Sequence, residues 1–162
     1  MTNKLNPIEV IIERMQTTLP SVHLPAAATT KRIYWAREQL FGKSRAVMEK
    51  NALSAGEYDA LASLRVQGEP FELTPSDICQ SNMLSSGGLT KVLNNLEKRG
   101  LISRHACNED QRSRKVRLTN AGKKLIESAL AEAFREYETL LANNLTSEER
   151  AQLDKLLLKL NG

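Results

Sequence analysis

Cysteine, histidine and aromatic residues are scarce in this sequence, at two, two and 4% of 162 residues. Two cysteines, Cys79 and Cys107, are too few for a disulfide scaffold and form no Cys-x-x-Cys pair. The histidines, His23 and His105, supply neither a His-Glu-x-x-His helix nor paired metal-ligand spacing, and the phosphate-cradling Gly-x-x-x-x-Gly-Lys pattern is also missing. Catalysis, a metal centre and a resident cofactor therefore have little to stand on, and the expectation is a protein that is not an enzyme and carries no cofactor. No apolar run approaches the roughly 20 residues that a membrane-spanning helix needs. The first residues, Met1 to Pro7, lack the apolar stretch of a secretory signal, so a reducing cytoplasm is the expected location.

What the chain does have is 41% hydrophobic and 26% charged residues, enough to bury a core in one domain, alone or within an oligomer. Its net charge of +4 is unevenly placed. Between Thr74 and Thr119 stand eight basic residues and four acidic ones, and the remainder of the chain balances to zero. A positive field confined to one segment suits a polyanion, because neutralised phosphates release condensed counterions. A solvated basic face with no partner gives the same count.

Helix punctuation divides the chain into helical flanks around a mixed centre. Ile8 to Met15 reads as a first helix, 20–25 as a proline-bounded linker, and 30–50 as a longer helix with Ile33, Ala36, Leu40 and Val47 on one stripe. Ser54 and Glu57 form a capping box that opens a helix running to Val66. Thr74 caps the next, with Pro75 at a position where its missing donor costs nothing and Asp77 facing the positive helix end. Ser85 caps a third segment, in which Leu89, Val92, Leu93 and Leu96 share one face while Ser86, Thr90, Lys91, Asn94 and Asn95 occupy the other. Gly100 ends it as a left-handed cap. The period then changes to two over 101–104 and 115–118, predicting a hairpin with a polar, basic tip at 107–113. Thr119 caps a long helix carrying Ile126, Ala129, Ala133, Phe134 and Tyr137, and a second capping box at Thr146 and Glu149 opens a last one with Leu153, Leu156, Leu157 and Leu160.

A helix, a short helix, a tight turn, a helix with a polar outer face and a basic hairpin make the winged helix-turn-helix plan. A helix fits the major groove of B-form DNA, and a hairpin tip reaches the neighbouring backbone or minor groove. The small residues Ser85, Ser86, Gly87 and Gly88 permit close approach to phosphates, and Thr90, Lys91, Asn94 and Asn95 can address base edges. The stretches Leu73 to Ile78, Leu84 to Lys91, Leu96 to Ile102 and Asp110 to Gly122 resemble the MarR (multiple antibiotic resistance regulator) family of winged-helix transcription factors, most specifically from about Ser54 to Leu130. The resemblance implies a mainly α fold with a small β-wing and N- and C-terminal dimerisation helices. It divides the chain into N-terminal helices and linker at 1–53, a DNA-binding region at 54–119 and C-terminal dimerisation helices at 120–162, one intertwined domain.

On the same resemblance, Ser85 to Arg99 is the recognition helix, Arg112 enters the minor groove, and Asp110 braces the wing through a basic neighbour. With Thr74, Lys98, Arg104, Arg114 and Lys115 these complete the expected double-stranded DNA contact set. The family resemblance further implies a homodimer on a pseudo-palindromic operator, acting as a repressor, and an aromatic or phenolic carboxylate effector. For that effector the sequence offers Arg32, Tyr34, Trp35 and Arg37 on one helix and Tyr58 and Arg65 on the next, rings for stacking and guanidinium groups for a carboxylate. The same residues would equally serve as junction core and solvated surface. The competing class is a winged helix that docks an acidic protein. His105, Cys107 and Cys79 could make a redox or thiophilic-metal sensor, but a cysteine beside basic residues need not be reactive.

Overall fold

The computed structural model of the protein describes residues 7–22, 25–82, 86–106 and 114–162. Ser85, Cys107, Asp110, Arg112 and His23 lie outside them, as do the side chains of Ser86 and Arg114. The chain divides into two compact units, Met1–Lys43 and Ser44–Gly162. Among the described residues no helix is long and apolar enough to cross a membrane.

The first unit contains α1 (Pro7–Thr18), a single 3-10 turn at Pro20–Val22 and most of α2 (Pro25–Lys50). Pro7 and Pro25 each stand at a first helical position, where proline's fixed φ suits the helix and no amide is needed. Ile8 and Ile12 are the buried residues of α1, and Arg32 of α2 donates two hydrogen bonds to Glu9 at 2.7 and 2.8 Å. That guanidinium holds the Glu9 carboxyl below its ordinary value.

In the second unit, α3 (Ala55–Val66) is the central element, packed by α4 (Pro75–Asn82), α5 (Ser86–Lys98), α6 (Asn120–Ala142) and strand β3 (Arg114–Leu118). Its Leu61 and Leu64, with Ile78 of α4, Leu96 of α5, Val116 of β3 and Ile126 of α6, are the large fully buried side chains, each removing roughly 2 kcal/mol of apolar surface from water. The boundary between the units falls inside α2. Val47 and Met48 are buried, and Lys50 donates to Glu132 of α6 at 2.9 Å, so the last turns of α2 belong with the second unit.

The expected caps form. Ser54 and Glu57 exchange hydrogen bonds at 3.3 and 2.8 Å, Thr146 and Glu149 at 3.2 and 2.8 Å. Thr119 accepts from the Gly122 amide at 3.1 Å and donates its hydroxyl to the Gly100 carbonyl at 2.7 Å, which anchors the start of α6 to the turn after α5. Gly122 permits that approach: a Cβ there would run into the Leu101 carbonyl and lie 2.9 Å from Leu118 Cδ2.

Among the described residues the sheet has three antiparallel strands in the order β1-β3-β2, with β1 at Glu72–Leu73 and β2 at Ile102–Ala106. In the hairpin Ile102 pairs with Leu118, Arg104 with Val116 and Ala106 with Arg114. Ile102, Val116 and Leu118 face the core, as a period of two demands. The third strand, β1 (Glu72–Leu73), pairs Glu72 with Arg117 and Leu73 with Val116, and the sequence reading did not contain it. A two-residue strand carries no periodicity to detect. The last helix, α7 (Ser147–Asn161), has no buried residue.

Candidate nucleic-acid interface

Helix α5 is the element on which the site is built. Leu89, Leu93 and Leu96 recur at four and three residues and are buried at 2%, 3% and 0% exposure, which fixes the rotation of the helix. The opposite face is thereby turned to solvent, and Gly87, Gly88, Thr90, Lys91, Asn94, Asn95 and Lys98 are all exposed. The end of the helix is closed by a glycine turn. Gly100 has φ +68°, its amide bonds the Glu97 carbonyl at 2.9 Å, and the Leu101 amide bonds that of Leu96 at 3.0 Å.

Helix α4 is set by a reciprocal cap. The Thr74 hydroxyl donates to the Asp77 carboxylate at 2.7 Å and accepts from the Asp77 amide at 3.2 Å, while the Thr74 amide donates to the same carboxylate at 3.1 Å. Thr74, expected among the DNA contacts, thus spends its hydroxyl on holding the start of α4.

Arg104 also differs from a free phosphate contact. Its side chain is only 19% exposed, its Nη2 donates to Asn94 Oδ1 at 2.8 Å, and its Nε lies 3.6 Å from Glu97. It lines a cavity of about 570 Å³ between α4, α5 and β2, together with Pro75, Cys79, Leu89, Thr90 and Leu93. Lys115 of β3 is 40% exposed and stands 3.9 Å from Glu72.

Glu72 was not anticipated. Only 9% of its side chain is exposed, and it accepts an ion pair from Arg117 and lies 3.1 Å from His105 Nε2, besides the longer approach of Lys115. One carboxylate therefore gathers nitrogen-bearing side chains from both strands of the hairpin. The only sequence signal was the alternation Phe71-Glu72-Leu73, too short to separate from a loop.

The residues proposed by sequence for an effector do not form one site within either unit. Tyr34 is 60% exposed and Trp35 half-buried. The arginines already hold carboxylates: Arg32 that of Glu9, Arg37 that of Glu38 at 2.6 Å, and Arg65 that of Glu127 at 2.6 Å. Arg37 also lies over the Phe41 ring and Arg65 over the Phe71 ring, at 5.3 and 5.1 Å. Tyr58 is part of the core, and its burial, with Tyr137 and Asp59 nearby, pushes its hydroxyl up to about 12. Among the described residues no group of His, Cys, Asp and Glu is arranged to hold a metal ion.

A buried apolar stripe that sets the rotation of α5, an antiparallel hairpin directly after it and a short capped helix before it compose the winged helix-turn-helix. The sequence profile of the MarR family matches residues 53–113, the segment that holds these elements. The HTH-type transcriptional regulator PecS of Dickeya dadantii (strain 3937) is 36% identical over 111 residues, covering 68% of this chain and 66% of PecS. The chain belongs to the MarR family of winged-helix transcriptional regulators. Two solved structures extend the likeness from sequence to fold. NadR in complex with 4-hydroxyphenylacetate is 26% identical, with a TM-score of 0.67 over 86% of this chain and 94% of that one. A mutant of MepR from S. aureus bound to an oligodeoxyribonucleotide is also 26% identical, with a TM-score of 0.58 over 82% of this chain and 94% of that one.

Proposed function

We propose that this MarR-family protein is a sequence-specific DNA-binding regulator that grips a pseudo-palindromic operator as a homodimer, with a small-molecule effector setting its affinity. The observation that carries the reading is the outward face of α5, where Lys91, Asn94, Asn95 and Lys98 stand exposed above a fully buried leucine stripe. Such a face offers cations to phosphates and amides to base edges. Ser85, Ser86, Gly87, Gly88 and Thr90 would meet the backbone and bases at the start of that helix. Arg112, Arg114 and Lys115 would follow from the wing, with Asp110 bracing it. In this reading 54–119 is the DNA-binding region, and repression is the output.

Pairing of two copies is supported by apolar surface left uncovered in each unit. Ile33 of α2 is 39% exposed, Phe134 of α6 60%, and on α7 Leu156, Leu158 and Leu160 are 59%, 71% and 67% exposed. A second copy covering 1–53 and 120–162 would remove this surface from water and set two recognition helices one DNA turn apart. An aromatic carboxylate effector is suggested by the 4-hydroxyphenylacetate of NadR. Were it to bind at Tyr34, Trp35, Arg37, Tyr58 or Arg65, it would have to displace Glu38 or Glu127 from its arginine. Coupling then follows by linkage, since a ligand favouring the geometry that does not fit DNA lowers operator affinity by the factor by which DNA lowers its own.

The test is a gel-shift titration against duplexes selected from a random pool, repeated at several salt concentrations. Affinity should fall steeply with salt, and Lys91→Ala or Lys98→Ala should each reduce the slope of log affinity against log salt by about 1. Duplex binding that is absent, or indifferent to salt, would exclude this function and leave the basic face to an acidic protein partner.

A further inference from the structure

We propose that DNA binding draws a proton onto His105 of the wing, beside the Glu72 carboxylate, so that affinity for DNA rises as pH falls. The inference rests on the reading of the β2–β3 hairpin as a DNA-binding wing. Its structural basis is one cluster that spans β1, β3 and β2. Glu72 is paired with Arg117, and Lys115 with His105, in the register of the sheet. Opposed residues share a face and successive residues alternate, so these four side chains stand on one face and Arg104 and Val116 on the other. Glu72 Oε1 lies 3.1 Å from His105 Nε2 and forms an ion pair with Arg117, while Glu72 Oε2 stands 3.9 Å from Lys115 Nζ.

The carboxylate is the inner member of the cluster and the basic groups are the outer ones. The Glu72 side chain is 9% exposed, those of His105, Lys115 and Arg117 38%, 40% and 50%. Other charges near the hairpin are turned elsewhere. Helix α5 packs on β2 from the core side, where its Glu97 lies 3.6 Å from Arg104, and its Lys91 and Lys98 stand on the outward face of the helix. Among the described residues, the charged groups that face His105 are therefore Glu72, Lys115 and Arg117.

With a neutral imidazole, two cations against one carboxylate leave this face at +1, and an imidazolium makes it +2. Glu72 supplies the counter-charge that an imidazolium needs between two cations. Histidine is the side chain that ordinarily changes charge between about pH 5 and 8. A polyanion favours the more positive form, so the complex binds more protons than the free protein, and by linkage acid tightens the complex. Position makes the charge count: the His105–Lys115 pair is next to the outermost described pair of the hairpin, Ala106 with Arg114. A charge there is felt by phosphates within a Debye length, about 30 Å at 0.01 M salt and about 8 Å at 0.15 M.

The experiment uses the full chain and a duplex selected from a random pool, with affinity measured by fluorescence anisotropy at low salt from about pH 8 down to pH 5.5. Wild-type affinity should rise about threefold, the size of one exposed charge interaction, and the rise should shrink at higher salt. The chain has only one other histidine, His23, and His23→Gln should keep the rise. His105→Gln should lose it. His105→Lys, permanently charged, should show at pH 8 the affinity that wild type reaches in acid. In Glu72→Gln, where the imidazole faces only cations, the rise should begin at lower pH. Calorimetry in two buffers of different ionisation heat should detect proton uptake on binding in wild type and none in His105→Gln. A wild-type affinity indifferent to pH would overturn the proposal, as would a rise that survives His105→Gln or a His105→Lys protein with no gain at pH 8. If thermal melting shows a His105 variant to be unfolded, proton uptake by wild type and by His23→Gln decides, and its absence from either overturns the proposal. Wild type that binds no duplex in a salt-dependent way overturns the DNA-binding function itself, whereas salt-dependent binding without a pH response overturns this inference alone.

Discussion

Arg99, the residue that follows α5, donates Nη1–H to the backbone carbonyl of Ala52 at 2.7 Å, across 47 residues of chain. Ala52 has φ +51°, and a second guanidinium nitrogen reaches the neighbouring Asn51 carbonyl at 3.3 Å. The buried Glu57 carboxylate lies 3.9 Å away. One side chain therefore ties the far end of the candidate recognition helix to the turn that leaves α2, and adds a positive charge near a largely buried carboxylate. Arg99→Ala should destabilise the protein by about 1–2 kcal/mol, less than a fully buried charged hydrogen bond because the arginine is one-third exposed. Denaturant unfolding measures this, and Arg99→Lys, with a point charge in place of a fork, should recover only part of it.

Two glycines near the same junction should fail for different reasons. Gly100 has φ +68° and open space around its Cβ position, so Gly100→Ala costs only backbone strain, about 1 kcal/mol. Gly122 is an ordinary helical residue, but its Cβ would meet the Leu101 carbonyl and Leu118, so Gly122→Ala should cost about 3 kcal/mol or more. Thermal melting of the two variants separates strain from collision. Equal losses would contradict the assignment.

The buried Tyr58 sets an alkaline limit. Its hydroxyl is pushed from 10 up to about 12, chiefly by burial, with Tyr137 and Asp59 adding to it. The unfolded chain gives up this proton first as pH rises, so the stabilisation is complete below pH 10 and is lost progressively between pH 10 and about 12. Tyrosinate absorbance should show one tyrosine titrating near pH 12. That step should vanish in Tyr58→Phe, and its persistence there would reassign it.

At the other end of the pH range, the cap of α7 should respond to acid. The Thr146 amide and hydroxyl hold the exposed Glu149 carboxyl below its ordinary 4.5. The cap's contribution is whole above pH 4.5 and disappears as pH falls through the lower folded value. Hydrogen exchange at the Thr146 amide should quicken in that acid window in the wild type. In Glu149→Gln it should show no such step.

The parts of this fold that were legible in the sequence depend on atoms a few residues apart. A hydroxyl or carboxylate three positions from an amide makes a cap, hence the starts of α3, α4, α6 and α7 at Ser54, Thr74, Thr119 and Thr146. Leucines at 89, 93 and 96 assign the inner and outer faces of α5, and an alternation of period two gives the hairpin strands. Tertiary structure alone decided which partner each of these arginines meets. The pairs Arg65 with Glu127, Arg99 with Ala52, Arg117 with Glu72 and Arg104 with Asn94 join elements whose approach is set by the burial of Leu61, Leu64, Val116 and Ile126. Sequence could therefore supply the inventory of arginines and amides on the reading head. Which of them remain open to a partner depends on packing between distant segments, and no local pattern encodes it.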